Sequence, residues 1–125
     1  MKAVVPRFLT LAVATLAVSF VAWADAVDHK SATVTGSYLI YSGELDDMNL
    51  PNSKDAKVSL EIKGMLARDM FKHLRPRAAD PVCEEGVEVR EKGDLICYRD
   101  LGTKEVTCHF GLDLKAGKLI NGTIC

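Results

Sequence analysis

The sequence predicts an α+β domain: a mostly antiparallel sheet of about five to six strands, one helix packed on it, and two disulfides. Three observations carry that expectation. Lys57–Lys63 alternates polar and apolar residues without a break, the period of a half-buried strand. Leu66, Ala67, Met70, Phe71 and Leu74 recur at helical spacing and form an apolar stripe. Beyond Cys83, glycines at 93, 102 and 117 cut the chain into short strand-like runs, the mark of consecutive hairpins.

The first 24 residues read as a secretory signal peptide. Lys2 and Arg7 make a positive start, an apolar run spans Phe8 to Val21, and Ala22-Trp23-Ala24 places small residues where signal peptidase reads, with cleavage after Ala24. The rival is a membrane anchor. A spanning helix needs roughly 20 apolar residues, and this run is shorter and holds Thr10, Thr15 and Ser19. Residues 25–125 remain as a single small domain. The chain has a formal net charge of −1, and loss of Lys2 and Arg7 makes it more acidic. Such a surface argues against nucleic acid as a partner and against membrane insertion or adsorption after cleavage.

In the order of the chain, Asp25 to Ser31 is a frayed terminus. Ala32 to Gly43 is rich in β-branched and aromatic residues and reads as a strand, with Gly36 marking a bulge or a close backbone approach. Glu44 to Asp55 reads as a loop, full of turn formers. Its acids Glu44, Asp46 and Asp47 suggest calcium, but Leu45, Met48 and Leu50 interrupt the alternate oxygen ligands that a calcium loop needs. A helix from Ser53 to Leu74 competes with a strand followed by a helix. Gly64 and the misplaced Leu60 favour the second. Met65 to Arg75 is then helical and stops at Pro76. Short strands follow around Val87 and Val89, at Leu95–Arg99, at Glu105–Phe110 and at Leu119–Ile124.

Four cysteines in a short exported chain read as two disulfides. No two of Cys83, Cys97, Cys108 and Cys125 stand within a few residues of each other, as zinc ligands commonly do. Alternation puts Cys97 with Leu95, and Cys108 with Val106 and Phe110, on core faces. The favoured pairing is Cys83–Cys97 with Cys108–Cys125; the rival is Cys97–Cys108 with Cys83–Cys125.

Catalytic patterns are not evident. There is no Gly-x-Ser-x-Gly elbow and no phosphate-cradling glycine loop. His29, His73 and His109 stand singly, without the i, i+4 pairing of a helical metal site. No metal and no cofactor is expected. Asn121-Gly122-Thr123 matches a glycosylation sequon but falls in a predicted strand. The candidate partner surfaces are the acidic group Glu44, Asp46 and Asp47 and the basic helix end of Arg68, Lys72, Arg75 and Arg77.

The tracts Lys63–Phe71, Lys92–Cys97, Val106–Gly111 and Gly122–Cys125 resemble small secreted disulfide-containing bacterial proteins of unknown function. The resemblance covers most of the mature chain and implies export to the bacterial periplasm or beyond. It brings no catalytic residue with it. Small periplasmic lysozyme inhibitors share the size and cysteine usage, without a shared inhibitory loop. The function expected is therefore a periplasmic or secreted, non-catalytic binding or inhibitory protein with a protein partner. An envelope structural or stress-related protein is the alternative. A small hydrolase, which would need a cleft where His73 or His109 meets a carboxylate, is the remote one.

Overall fold

The computed structural model describes residues 30–76 and 85–124. The predicted signal peptide, Arg77, Cys83 and Cys125 lie outside them. Strand and helix periods appear where the side chains demand them: β1 (Thr35–Glu44), β2 (Asp47–Asn49), β3 (Lys57–Lys63), α1 (Gly64–His73), β4 (Val87–Lys92), β5 (Leu95–Asp100), β6 (Val106–Asp113) and β7 (Lys118–Ile120). Every pairing is antiparallel, and the order across the sheet is β2-β1-β3-β6-β5-β4, with β7 also on β6. β3 occupies one edge of β6 from Cys108 to Asp113, so β5 and β7 share the other edge end to end.

Among the described residues the mostly antiparallel sheet with one helix is present, but with seven strands rather than five to six. The extra strand comes from the stretch expected to be a loop. Glu44 and Asp47 face each other across a tight turn at Leu45-Asp46, and Ser42 to Glu44 pairs with Asp47 to Asn49. Ser42 Oγ donates to the Leu50 carbonyl at 2.8 Å and helps fold the hairpin back. Strand followed by helix is correct for residues 57–73. The last strand is shorter than expected and leaves Asn121–Ile124, with the sequon, beyond it.

Register divides the sheet into two faces. Ile62, Cys108, Cys97 and Arg90 form one row across β3, β6, β5 and β4. The helix lies on this row. Ala67 and Phe71 are buried against Ile62, Cys97, Val106 and Cys108, with Met70, Leu74 and Phe110 packed around them. Leu66, expected in the buried stripe, is on the exposed side. The disulfide joins Cys97 to Cys108, which sit directly opposite each other in the β5–β6 hairpin. The expected Cys83–Cys97 and Cys108–Cys125 bonds are thereby overturned. The reason is register: the turn after β5 runs through to Glu105 and closes with Asp100 N–H donating to the Glu105 carbonyl at 2.9 Å.

Phe71 also carries the helix's polar attachment. The Arg90 and Arg99 guanidinium groups lie 4.3 and 4.9 Å from its ring centroid. Glu88 bridges both arginines, at 3.0 Å from Arg90 Nη2 and in direct contact with Arg99 Nη2. Arg90 Nη1 donates to the Phe71 carbonyl at 3.1 Å. Desolvation pushes the Glu88 carboxyl up, but the two arginines outweigh it and hold it below the ordinary value. Each cation–ring contact is worth about 0.5–2 kcal/mol.

On the opposite, open face, Gly111 offers no side chain, and the tail after β7 crosses that gap. Ser59 Oγ donates to the Gly122 carbonyl at 2.6 Å. A Cβ at Gly122 would fall inside the Phe110 backbone, so only glycine fits there.

Three outcomes follow for stability. Replacing Cys97 and Cys108 together by alanine opens a loop of sequence separation 11, and the urea midpoint is expected to report a loss of about 3 kcal/mol. Gly122→Ala is expected to cost about 1–3 kcal/mol in the same assay. Glu88→Gln is expected to cost about 1–2 kcal/mol near neutral pH. Because the Glu88 pKa is lowered on folding, its contribution is present above 4.5, the ordinary value, and is lost as pH falls through the folded value. The stability gap between wild type and Glu88→Gln therefore closes on acidification, and an acid titration of both proteins measures it.

Candidate functional site

The open face carries the polar side chains that alternation turns away from the helix. In β3 these are Glu61 and Lys63, in β6 Thr107 and His109, and in β5 Tyr98 and Asp100. The register sets Glu61 opposite His109 and Tyr98 opposite Thr107. With Val87, Thr103 and Glu105 they line a groove of about 330 Å³, at the small end of the usual ligand-site range of about 300–1,000 Å³. Its floor is the sheet and its rim is the β5–β6 turn.

Each polar group in the groove is set by a local cause. Lys63 Nζ meets Glu61 Oε1 at 2.8 Å, from two residues along the same strand face. That hydrogen bond first, then the charges of Lys63 and His109, holds the Glu61 carboxyl below the ordinary range against the pull of burial. Asp100 Oδ1 accepts the backbone N–H groups of Gly102 and Thr103, both at 2.7 Å. Those bonds lower the Asp100 carboxyl and tie the turn that forms the rim. The Tyr98 and His109 rings meet edge to face, with centroids 5.8 Å apart at an interplanar angle of 68°. Among the described residues, the groove gathers three carboxylates against one lysine, beside two aromatic rings.

This is a different site from the two surfaces that the sequence singled out. Glu44, Asp46 and Asp47 are exposed at the β1–β2 hairpin tip. They do come together, since Glu44 faces Asp47 across the turn. The basic helix end is less unified. Lys72 lies 3.6 Å from Asp69 on its own helix. Arg68 is exposed. Arg75 follows the helix, where its carbonyl accepts the Glu91 N–H at 3.3 Å. With His73, Leu74, Glu91 and Lys92 it lines a second cavity of about 350 Å³ of mixed charge.

Sequence reasoning missed the groove because its central pair comes from two strands that are neighbours in the sheet but distant in sequence. Alternation alone puts Glu61 and His109 on polar faces. Only the β3–β6 register, set across the intervening helix and hairpin, makes them opposite. Among the described residues, no group of three or more His, Cys, Asp or Glu side chains has the arrangement of a metal site. No helix among them is long and apolar enough to cross a membrane. No protein-family model, curated protein or solved structure matches this chain.

Proposed function

We propose that the chain is an exported, non-catalytic binding or inhibitory protein whose open-face groove receives a basic segment of a partner protein. The observation that carries this reading is the excess of carboxylates, Glu61, Asp100 and Glu105 against Lys63, around Tyr98 and His109. A lysine or arginine side chain entering the groove meets negative charge and aromatic rings together, the two features that attract an organic cation.

The state of the acids favours binding over proton-transfer catalysis. A general acid needs a carboxyl raised towards the working pH. Glu61 and Asp100 are both lowered, each by hydrogen bonds to its charged form. They stay ionised throughout the neutral range. The Cys97–Cys108 disulfide is compatible with the oxidising compartment that export to the periplasm or outside would supply.

The test is titration of the protein with short oligo-arginine and oligo-glutamate peptides at low salt, followed by fluorescence anisotropy. The arginine peptide is expected to bind and the glutamate peptide not to. Glu105→Gln is expected to weaken binding about three- to tenfold, the scale of one partly exposed charge pair. Asp46→Asn at the distant hairpin tip is expected to leave it unchanged. Binding should weaken on acidification as the carboxyls of Glu61 and Asp100, both lowered by hydrogen bonds to their charged forms, finally protonate. Equal weakening by Asp46→Asn and Glu105→Gln would reduce the effect to net charge and remove the groove from the explanation.

A further inference from the structure

The outer edge of β1 is open. β3 pairs with one edge of β1 from Thr35 to Tyr41, whereas on the other edge β2 pairs only with Ser42 to Glu44. Among the described residues no strand lies beside the outer edge from Thr35 to Tyr41. Gly43 shows which backbone groups point there. Its N–H donates to Asp55 Oδ2 at 2.8 Å, and its carbonyl accepts from Lys57 Nζ at 2.6 Å, both on the β3 side. By alternation, Tyr41, Leu39, Ser37 and Thr35 also bond towards β3, and Ile40, Tyr38 and Gly36 turn their N–H and C=O groups outward.

The two ends of the sheet are treated differently. β4, the opposite edge strand, reads Val-Glu-Val-Arg-Glu-Lys and is crowded with charge. It is also covered in part, since Pro76 bridges to Arg90 and the Glu91 N–H donates to the Arg75 carbonyl. Charge, proline and a covering segment are the devices that keep sheet edges from pairing. Among the described residues, the open stretch of β1 from Thr35 to Tyr41 has none of them. From Ser31 to Gly43 the chain has no charged residue and no proline, although charged residues make up 26% of the whole. Tyr38 is 71% exposed, Leu39 46% and Ile40 43%.

We infer that this edge is completed by a second copy of the chain, β1 pairing antiparallel with β1 across a two-fold axis at Tyr38. Three features select a second copy. Pairing a strand with itself sets identical charges near one another, and an edge without charge is the kind that bears this at no cost. The β2 hairpin blocks the rest of the edge and leaves an open stretch whose midpoint is Tyr38. The outward-facing residues are symmetric about the same point. Tyr38 meets Tyr38 of the second copy, and Gly36 meets Ile40 in both directions, so the branched side chain lies over the residue that has none. The result is a single continuous sheet through both copies, with both helices on one side. The edge shares no residue with the groove, so self-association and peptide binding stand or fall separately.

Sedimentation equilibrium of protein purified from cells expressing the full chain is expected to show a reversible dimer. Tyr38→Lys and Tyr38→Glu are each expected to raise its dissociation constant at least about tenfold, or about 1.4 kcal/mol, and an equimolar mixture of the two is expected to restore a dimer. Leu112→Glu, on the helix side of β6, is expected to leave the dimer intact. Amide exchange on the unmodified protein gives an independent reading. The Gly36, Tyr38 and Ile40 N–H groups are expected to gain protection with rising concentration, while Leu39 and Tyr41 are protected throughout. A monomer at every concentration, or a dimer in which those three amides exchange freely, would overturn the proposal. So would a dimer that survives Tyr38→Lys but is lost on Leu112→Glu. A stable complex of β1 with a different protein, seen with a monomeric free chain, would assign the edge to that partner instead.

Discussion

The packing of one helix on one row of the sheet sets the rest of the structure. Ile62, Cys108 and Cys97 stand side by side beneath Ala67, and Ala67, Cys97 and Cys108 are wholly buried. The close approach needs small groups on both sides. Alanine on the helix and a disulfide on the sheet provide them, and the Cys108 sulfur comes within 3.5 Å of the Ala67 carbonyl. Being disulfide-bonded, that sulfur has no proton to donate, so the contact is packing and not a hydrogen bond. Phe71 then reaches Arg90 at the far end of the row, and Arg99 beside it. The covalent link thus joins the two strands on which the helix seat depends.

The same row explains why some of the fold was legible and some was not. β3 could be read because Val58, Leu60 and Ile62 alternate strictly and nothing in the stretch competes except a longer helix. The core faces of β5 and β6 could be read because Cys97 lies two residues from Leu95, and Cys108 two from Val106. The bond between them could not. A turn centred on Asp100–Thr103 would set Cys97 opposite Val106, whereas Lys104, held at a positive φ of 65°, carries the turn on to Glu105 and brings Cys108 opposite Cys97. Two residues of slip in one loop change the disulfide pattern, and no propensity scale resolves a slip of that size. The β1–β2 hairpin was hidden for a related reason. Its turn formers were visible, but three residues of β2 are too few to show alternation.

The candidate site was half legible by the same logic. The polar alternates of β3 and β6 were assignable from their own strands. Their meeting was not, because the β3–β6 pairing joins segments separated by the helix and the β4–β5 hairpin. Gly111 and Gly122 carried a signal that was hard to read in advance. Each is a glycine in a strand-like tract, which suggests a close approach, but which backbone approaches is a matter of tertiary structure. Gly36 is the exception: a close approach was anticipated there, and its Cβ position falls on the Glu61 carbonyl of β3.

Charge is distributed in this domain in a way that separates its surfaces by task. On the open face, Glu61 and Asp100 are ionised and held in place by hydrogen bonds, so the cost of orienting them is met by the fold before any ligand arrives. A cation entering the groove then meets a preorganised field and not flexible acids that must be ordered. The helix side has the opposite character beyond the helix itself. Ile40, Val58, Leu112 and Leu119 run in one row across β1, β3, β6 and β7 with no charge among them. That row ends at the β1 edge, so whatever pairs with the edge also extends this apolar strip. A partner strand bearing charge on its helix-side positions would place that charge against the strip and lose hydration without gaining a counter-ion. Uncharged side chains at those positions are therefore selected twice, once by the edge and once by the face beside it.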